Sequence, residues 1–565
     1  MRKNCLRLSK NMVNEDIKIV ETDVLVVGGG PAALRAAIEA RKEDVGVTVV
    51  VKRKLGKSGN AVVSHTGHNA PFGHADPRDN PKVYFHNTIV AGKLVNNQKL
   101  VRVMAVEACQ RILELESFGV KFEKQNDKFL QRHAPGHTYP RSCYTPRRRG
   151  IDVTLPMAKV AKEVGVRVLE ETMLVEILHD GLRVLGAVGF NRLTGKIIVF
   201  KCRALILATG GAGQIFSATN NTADTTGDGY SIAFNAEVEL VDMEFFQFYP
   251  HMLTYPFKTL VSPILFKHGA KLLNSEGERF MKRYDPANVD LATRDIKARA
   301  MALEVMHGRG IKGGIRLDLS EIEEEKLKVS NPHLYEPIKK KGLDYRKAEF
   351  IVYPAAHFYM GGIRINERCE TSLKGLYACG EVAGGVHGAN RLANNAHTET
   401  VVFGARAGKF AARWAKESKI EEIDQKKLYS IKEYIYRIGN GREDLEKHRR
   451  RFRESMWRNA GLLRNEKGLK ENLEIINECY SQIESIRAEN SVKKVEVLEF
   501  VNMLNVGKLL TVAALARTES RGAHYRLDYP EIDNKNWLKN IIITKDKRGE
   551  PKIRLTEVTK IEESL

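Results

Sequence analysis

The residues best suited to bind something begin with Gly28-Gly29-Gly30-Pro31-Ala32-Ala33. Their G-x-G-x-x-A spacing suits a turn that lays backbone N–H groups against a pyrophosphate. Gly28 permits the tight turn, Gly30 lets the backbone approach the phosphates, and Ala33 allows a helix to pack closely on a strand. Further along, KSGNAVVSHTGHN (57–69) sets His65 and His68 among small residues. An imidazole there could anchor a cofactor covalently or line its pocket.

Such a turn works only inside a particular frame. ETDVLVVGGGPAALRAAIEARKEDVGVTVVVKRK (21–54) reads as strand, turn, helix and β-branched second strand, a βαβ unit. Its helix N-terminus adds free N–H groups and a positive dipole end for phosphates. The second strand ends in Val51 and Lys52, not in the usual acidic residue, so this segment alone leaves NADP open. RALILATGG (203–211) and KGLYACGEVAGG (374–385) are further buried strands ending in glycine turns, and they favour a flavin. Strands so far apart can join one sheet only if a second unit is inserted, roughly over 241–351. Beyond about residue 415 the pattern turns helical, with Leu469, Leu473, Ile476, Tyr480 and Ile483 on one face. NIIITKDKRGEPKIRLTEV (540–558) alternates around Gly549 as a hairpin does.

A chain of 565 residues, 43% of them hydrophobic, holds several globular cores. Its net charge of +21 is spread among 70 acidic residues, and only PRRRG (146–150) and KHRRRFR (447–453) are dense. That distribution favours attraction of small anions over a nucleic-acid partner. The seven cysteines include no CxxC pair and no zinc or iron–sulfur spacing, so no metal site is expected and the thiols read as reduced and cytoplasmic. The first twenty residues lack a secretory core, and Met12 is a possible start. Uninterrupted apolar runs such as VLVVGGGPAAL are far shorter than the roughly 18 residues of a membrane span, so no transmembrane helix is expected.

Longer motifs carry a resemblance. TTGDGYSIAFNA (225–236), MEFFQFYP (243–250), GERFMKRYDP (277–286), LATRDIKARAM (291–301), HFYMGGI (357–363), GLYACGEVAGGVHGANRLANNA (375–396) and RTESRGAHYRLDYPEIDN (517–534) follow one another over about 22–545. The chain thereby resembles the fumarate reductase and succinate dehydrogenase flavoprotein family, which includes L-aspartate oxidase and, more distantly, adenylylsulfate reductase. The resemblance implies an α/β fold with a Rossmann-like FAD-binding domain, discontinuous over 21–240 and 352–415. An α+β capping domain (241–351), a helical domain (416–520), a small C-terminal region (521–565) and an N-terminal extension (1–20) complete the expected plan. It also implies FAD held by Gly28 to Ala33, with Lys52, Ser58, Gly59, Asp228, Glu381 and Asn395 beside it. The implied chemistry is hydride transfer between flavin N5 and a small anionic substrate, fumarate or succinate being favoured. Arg294 takes the place of the proton shuttle, and Arg391, His357 and Tyr249 the places of substrate ligands. A separate iron–sulfur subunit or soluble donor would exchange electrons with the flavin.

The chain departs from the family pattern on one side of that site. Tyr249 stands where QFHP is usual, and Ser262-Pro263 stand where a Thr-Glu pair is usual, so half of the carboxylate clamp is missing. Lys267 and His268 lie close enough in sequence to restore positive charge. This keeps an L-aspartate oxidase or adenylylsulfate reductase-like activity, or a non-catalytic flavin-binding role, as alternatives. Relatives with covalent FAD use a histidine in a Ser-His-Thr triplet. An ungapped count puts Gly59 at that position and Ser64-His65-Thr66 beyond it, so the FAD is expected to be non-covalent.

Overall fold

The computed structural model describes residues 17–65 and 67–562. Met12, most of the expected N-terminal extension and Thr66 lie outside the described residues. β1 (Ile17–Val27) leads through the glycine turn into α1 (Pro31–Arg41), which returns as β2 (Val47–Val50). The strand starts upstream of the expected boundary at 21 because Ile17 to Val20 stay in parallel register with Ile197 to Phe200.

β3 (Arg167–Leu169), β4 (Thr172–His179), β5 (Val184–Asn191) and β6 (Ile197–Leu207) complete a sheet of order β3-β2-β1-β6-β5-β4. β6 is long enough to serve two partners. Its first half pairs antiparallel with β5, and its last residues pair parallel with Leu376–Ala378. The distant segment therefore does join the nucleotide sheet. From Val20 onward in β1, and throughout β2 and β6, the β-branched and leucine side chains are sealed on both faces, as a parallel sheet requires, whereas Ile19 near the start of β1 is exposed. Three strand ends consequently converge at the carboxyl edge: Gly28 after β1, Lys52 after β2 and Ala208 after β6. Ligands bind at that edge in open α/β sheets.

After α2 (Asp228–Asn235) the chain leaves for the insert along β7 (Phe246–Tyr255). α3 (Arg294–Met306) lies within the insert, and β8 (Ile351–Tyr359) brings the chain back antiparallel to β7. Five antiparallel strands and their helices enclose a separate hydrophobic core built on Leu272, Phe280, Met301, Ile315 and Leu334. The two connecting strands thus couple the insert to the sheet, and they carry Gln247, Tyr249 and His357.

α4 (Asn395–Glu417) crosses directly over α1. A Cβ on Gly408 would stand 2.2 Å from the Ala36 carbonyl oxygen, so only glycine permits this approach. The expected helical region follows and ends in α5 (Ser491–Ala516). Among the described residues α5 alone is long and apolar enough to cross a membrane, but 78% of its apolar window is buried in the protein. Scanning for uninterrupted apolar runs overlooked it because lysines and glutamates punctuate the segment. The 466–481 helix buries Leu469, Asn472, Ile476 and Cys479, whereas Ile483 lies beyond its end in a short 3-10 turn. Leu473 and Tyr480 are only partly covered, so the core face is rotated from the expected one. Lys539–Lys545 and Pro551–Glu557 form the expected hairpin around Gly549.

Candidate active site

A cavity of about 830 Å³ runs from the glycine turn to α3, near the upper end of ordinary ligand sites. At the turn Gly28 has φ +134°, and a Cβ there would stand 2.1 Å from the Ala208 carbonyl oxygen. Above Gly30 the space is open to 4 Å. Gly30 caps α1 without a side chain and Pro31 follows it, so the first-turn N–H groups face outward for an anion. Gly28, Gly29, Gly30, Pro31 and Ala32 line the cavity. Ala33 does not line it and is fully buried beneath the turn, which suits the packing role expected of it.

Lys52 and Asp228 also border the cavity, as a pair. The Lys52 ammonium lies 2.7 Å from Asp228 Oδ2 and 2.7 Å from Glu499 Oε1, which holds its pKa well above that of a free lysine despite the loss of solvent. Asn502 on α5 and Thr226 each donate a hydrogen bond to the same aspartate. Asp228 thus ties the nucleotide sheet to the helical region. Ser58 and Gly59 line the cavity as well, with the Ser58 hydroxyl donating to the Lys54 carbonyl. Gly59, at φ +82°, caps the short helix Asn60–Val63.

Glu381 follows the Leu376–Ala378 strand. Burial pushes its carboxyl up to about 7, against the opposing Tyr359 N–H bond at 2.9 Å and the nearby Arg391 charge. Asn395 is a correction to the sequence reading. It is fully buried, donates to Thr88 and accepts from Asn69 and Tyr84, and it stays off the cavity surface. Its neighbours Asn394, Ala396 and His397 line the wall instead. An asparagine with all its polar atoms inside the fold is a brace for this loop.

Arg294, His357, Arg391 and Tyr249 meet at the far end of the cavity. Arg294 is the first residue of α3, and its Nη1 donates to Gln247 Oε1 at 3.1 Å. Its guanidinium lies 5.2 Å over the Tyr249 ring. Loss of solvent lowers the arginine pKa, opposed by the Tyr249 and Tyr144 hydroxyls. Arg391 is 6% exposed, rests 4.4 Å over the Phe358 ring, and leaves its buried Nε without a partner. Burial and the Arg294 charge push it down to about 9. Neither arginine lies within ion-pair distance of a carboxylate among the described residues.

Two expected ligands behave differently from the expectation. The Tyr249 hydroxyl donates to the Val261 carbonyl at 2.7 Å, so its proton is spent inside the insert and its ring is what packs against Arg294. His357 is held neutral, chiefly by lost solvation and then by Arg294 and Arg391. Its Nδ1 donates to Asn220 Oδ1 at 3.1 Å, which leaves Nε2 as an acceptor rather than a donor to a carboxylate.

Ser262, Pro263 and Lys267 also line this end, the lysine meeting His133 at 3.2 Å, while His268 does not reach it. Sequence reasoning missed several cations on the cavity wall, among them Arg53, Arg148 and, one turn after Arg294, Lys297. The i, i+3 spacing in RDIK was the available signal.

Residues 23–396 match the model of an FAD binding domain, and 449–563 match that of the fumarate reductase flavoprotein C-terminus. The chain belongs to the fumarate reductase and succinate dehydrogenase flavoprotein family. It is an FAD-dependent oxidoreductase of that family. One subunit of the CoM/CoB fumarate reductase from Methanothermobacter marburgensis is 37% identical, over 94% of this chain and 98% of its own. An uncharacterized FAD-dependent oxidoreductase from Methanocaldococcus jannaschii is 40% identical, over 93% of this chain and 96% of its own. Among solved structures, the E. coli quinol fumarate reductase chain FrdA superposes with TM-score 0.89 at 28% identity, covering 96% of this chain and 98% of that one.

The residues present fit the family's FAD. The uncapped helix N-terminus and the open space over Gly30 suit a pyrophosphate, and the buried Thr209 hydroxyl on the cavity wall has no partner in the fold.

Proposed function

We propose that this chain is the catalytic flavoprotein of an enzyme that interconverts fumarate and succinate. The observation that carries the proposal is the pair Arg294 and Arg391, two cations without carboxylate partners in the same cavity as the glycine turn. Cations removed from water without counter-charge are costly, and an anionic substrate supplies that charge. FAD, when bound along the turn, supplies the hydride donor or acceptor.

Arg391 holds one carboxylate of the substrate through its free Nε and neighbouring N–H groups. Arg294 holds the proton that moves to or from the carbon beside the site of hydride transfer. At the first position of α3 its charge faces the positive end of the helix dipole, which adds to the effect of lost solvent. A guanidinium so destabilised parts with its proton more readily than one in water, while Gln247 fixes its direction. Neutral His357 offers a lone pair at Nε2, and the substrate's negative charge favours its protonation as the anion enters.

The FAD is held without a covalent bond in this reading. Gly59 has no nucleophile, and the His65 ring is engaged with His333 at 5.1 Å. Burial depresses His65 to about 4. Relatives named as subunits support an electron-carrying partner for this chain as well.

Reduction of fumarate by the FAD-loaded protein with a reduced viologen dye tests the proposal. A fully loaded but inert protein rejects it, and hydrogen peroxide release on adding L-aspartate would move the assignment to the oxidase.

A further inference from the structure

We infer that Lys297 binds the second anionic group of the substrate, so that the enzyme selects small dianions over monoanions. This inference rests on the functional reading proposed above. Lys297 and Arg294 lie one turn apart on α3 and both line the cavity. The lysine is only 3% exposed. Its ammonium makes one hydrogen bond, to the Asp290 carbonyl oxygen at 3.2 Å, and lies 4.7 Å over the Phe266 ring. A lysine ammonium has three N–H donors, so two remain for a ligand.

No protein carboxylate takes that place. Asp290 also lines the cavity, but its Oδ2 accepts from Arg279 Nε at 2.5 Å, its buried Oδ1 has no hydrogen-bond partner, and neither oxygen lies within ion-pair distance of Lys297. The wall further presents uncharged Ser262, Pro263, Ile264 and Leu291. Lys297, Arg294 and Arg391 thus put three cations on the cavity wall beside Lys267, and none of the three lies within ion-pair distance of an acid among the described residues. One carboxylate would satisfy Arg391 and leave the α3 side uncompensated. A dianion serves both ends, which a lysine acting only as a brace for Asp290 would not require.

The surroundings make this contact sensitive to pH. Burial pushes Lys297 down to about 7, with Asp290 opposing and Arg294 adding to the shift. The charged and titratable groups facing it are Asp290 with its partner Arg279, Arg294, and His251 from β7, which stays neutral. Since the ammonium loses its proton as pH rises through about 7, dianion binding must weaken over that interval. Glu381 also titrates near 7 in this cavity, but its charge acts on monoanions and dianions alike.

The test uses the FAD-loaded enzyme and follows the bound flavin spectrum while malonate or propionate is added between about pH 6 and 8. Malonate affinity of the native protein should fall with pH more steeply than propionate affinity. Lys297→Met should weaken malonate about ten- to hundredfold, the loss of one charged hydrogen bond, with little change for propionate. Lys297→Arg should retain malonate binding and remove the extra pH dependence. Equal losses for both ligands in Lys297→Met, or a Lys297→Arg protein with the native pH profile, would overturn the assignment. If the methionine variant loses FAD, the arginine variant still decides. A native flavin that responds to neither ligand would instead sink the functional reading on which the inference stands.

Discussion

Arg294 donates to Gln247 at 3.1 Å, while the amide of the same glutamine donates at 2.9 Å to the Arg391 carbonyl and at 2.9 Å to Asn390. One buried side chain on β7 therefore sets the positions of both arginines, one on the insert and one on the nucleotide-binding side. Gln247→Leu should leave FAD bound and reduce kcat about ten- to hundredfold, with a stability loss of about 1–3 kcal/mol from the unpaired groups. Stopped-flow and steady-state rates at matched FAD content check this, and an unchanged kcat would mean that the arginines are positioned otherwise.

Lys52 lies between Asp228 and Glu499 and links the end of β2 to α2 and α5. Replacing it with methionine leaves two nearly buried carboxylates without a cation, a change that costs about 3–5 kcal/mol. The temperature at which flavin fluorescence appears on heating should drop sharply for Lys52→Met. Asp228→Asn should lower it less, because Glu499 still pairs with the lysine.

His137 is buried, donates from Nε2 to the Ala393 carbonyl at 2.9 Å, and is pushed down to about 3 by burial and then by Arg141. A base with a lowered folded pKa is protonated first in the unfolded chain. Its penalty is absent above about 6.5 and grows as pH falls toward the folded value. At pH 5 that penalty is about 2 kcal/mol. His137→Gln keeps a donor for Ala393 but no titration, so its urea midpoint should fall less than the native one between pH 7 and 5. Parallel declines would show that His137 does not contribute.

Acid denaturation should release yellow FAD into the supernatant. Colour retained in the precipitate would assign a tether, and His65→Ala would then identify it. Gly59→Ala should cost about 1 kcal/mol, since its φ of +82° disfavours a side chain although the space beside it is open.

The frame of the site was legible because period and turn chemistry are local. The strands ending at Gly28, Lys52 and Ala208 were marked by β-branched residues and glycine, and the apolar character of Leu376–Ala378 marked it as a further strand of the same sheet, its place beside β6 coming from the structure. What could not be read was the direction in which polar atoms point. Asn395 sits in a cofactor-like motif yet turns into the fold, and the Tyr249 proton goes to a backbone carbonyl. Both outcomes depend on neighbours distant in sequence. Lys297 resembled any lysine on a charged helix until the packing of Phe266 and Asp290 removed its solvent.

Turnover with Arg294 changed is the most direct measure of the whole account. Native protein and Arg294→Gln, each fully loaded with FAD, are compared for oxidation of reduced viologen by fumarate. The native enzyme should turn over, and the variant should retain FAD and lose activity by at least about a thousandfold, as expected when a positioned proton donor is removed. A loaded native enzyme that ignores fumarate, or an Arg294→Gln enzyme as fast as the native one, would contradict it.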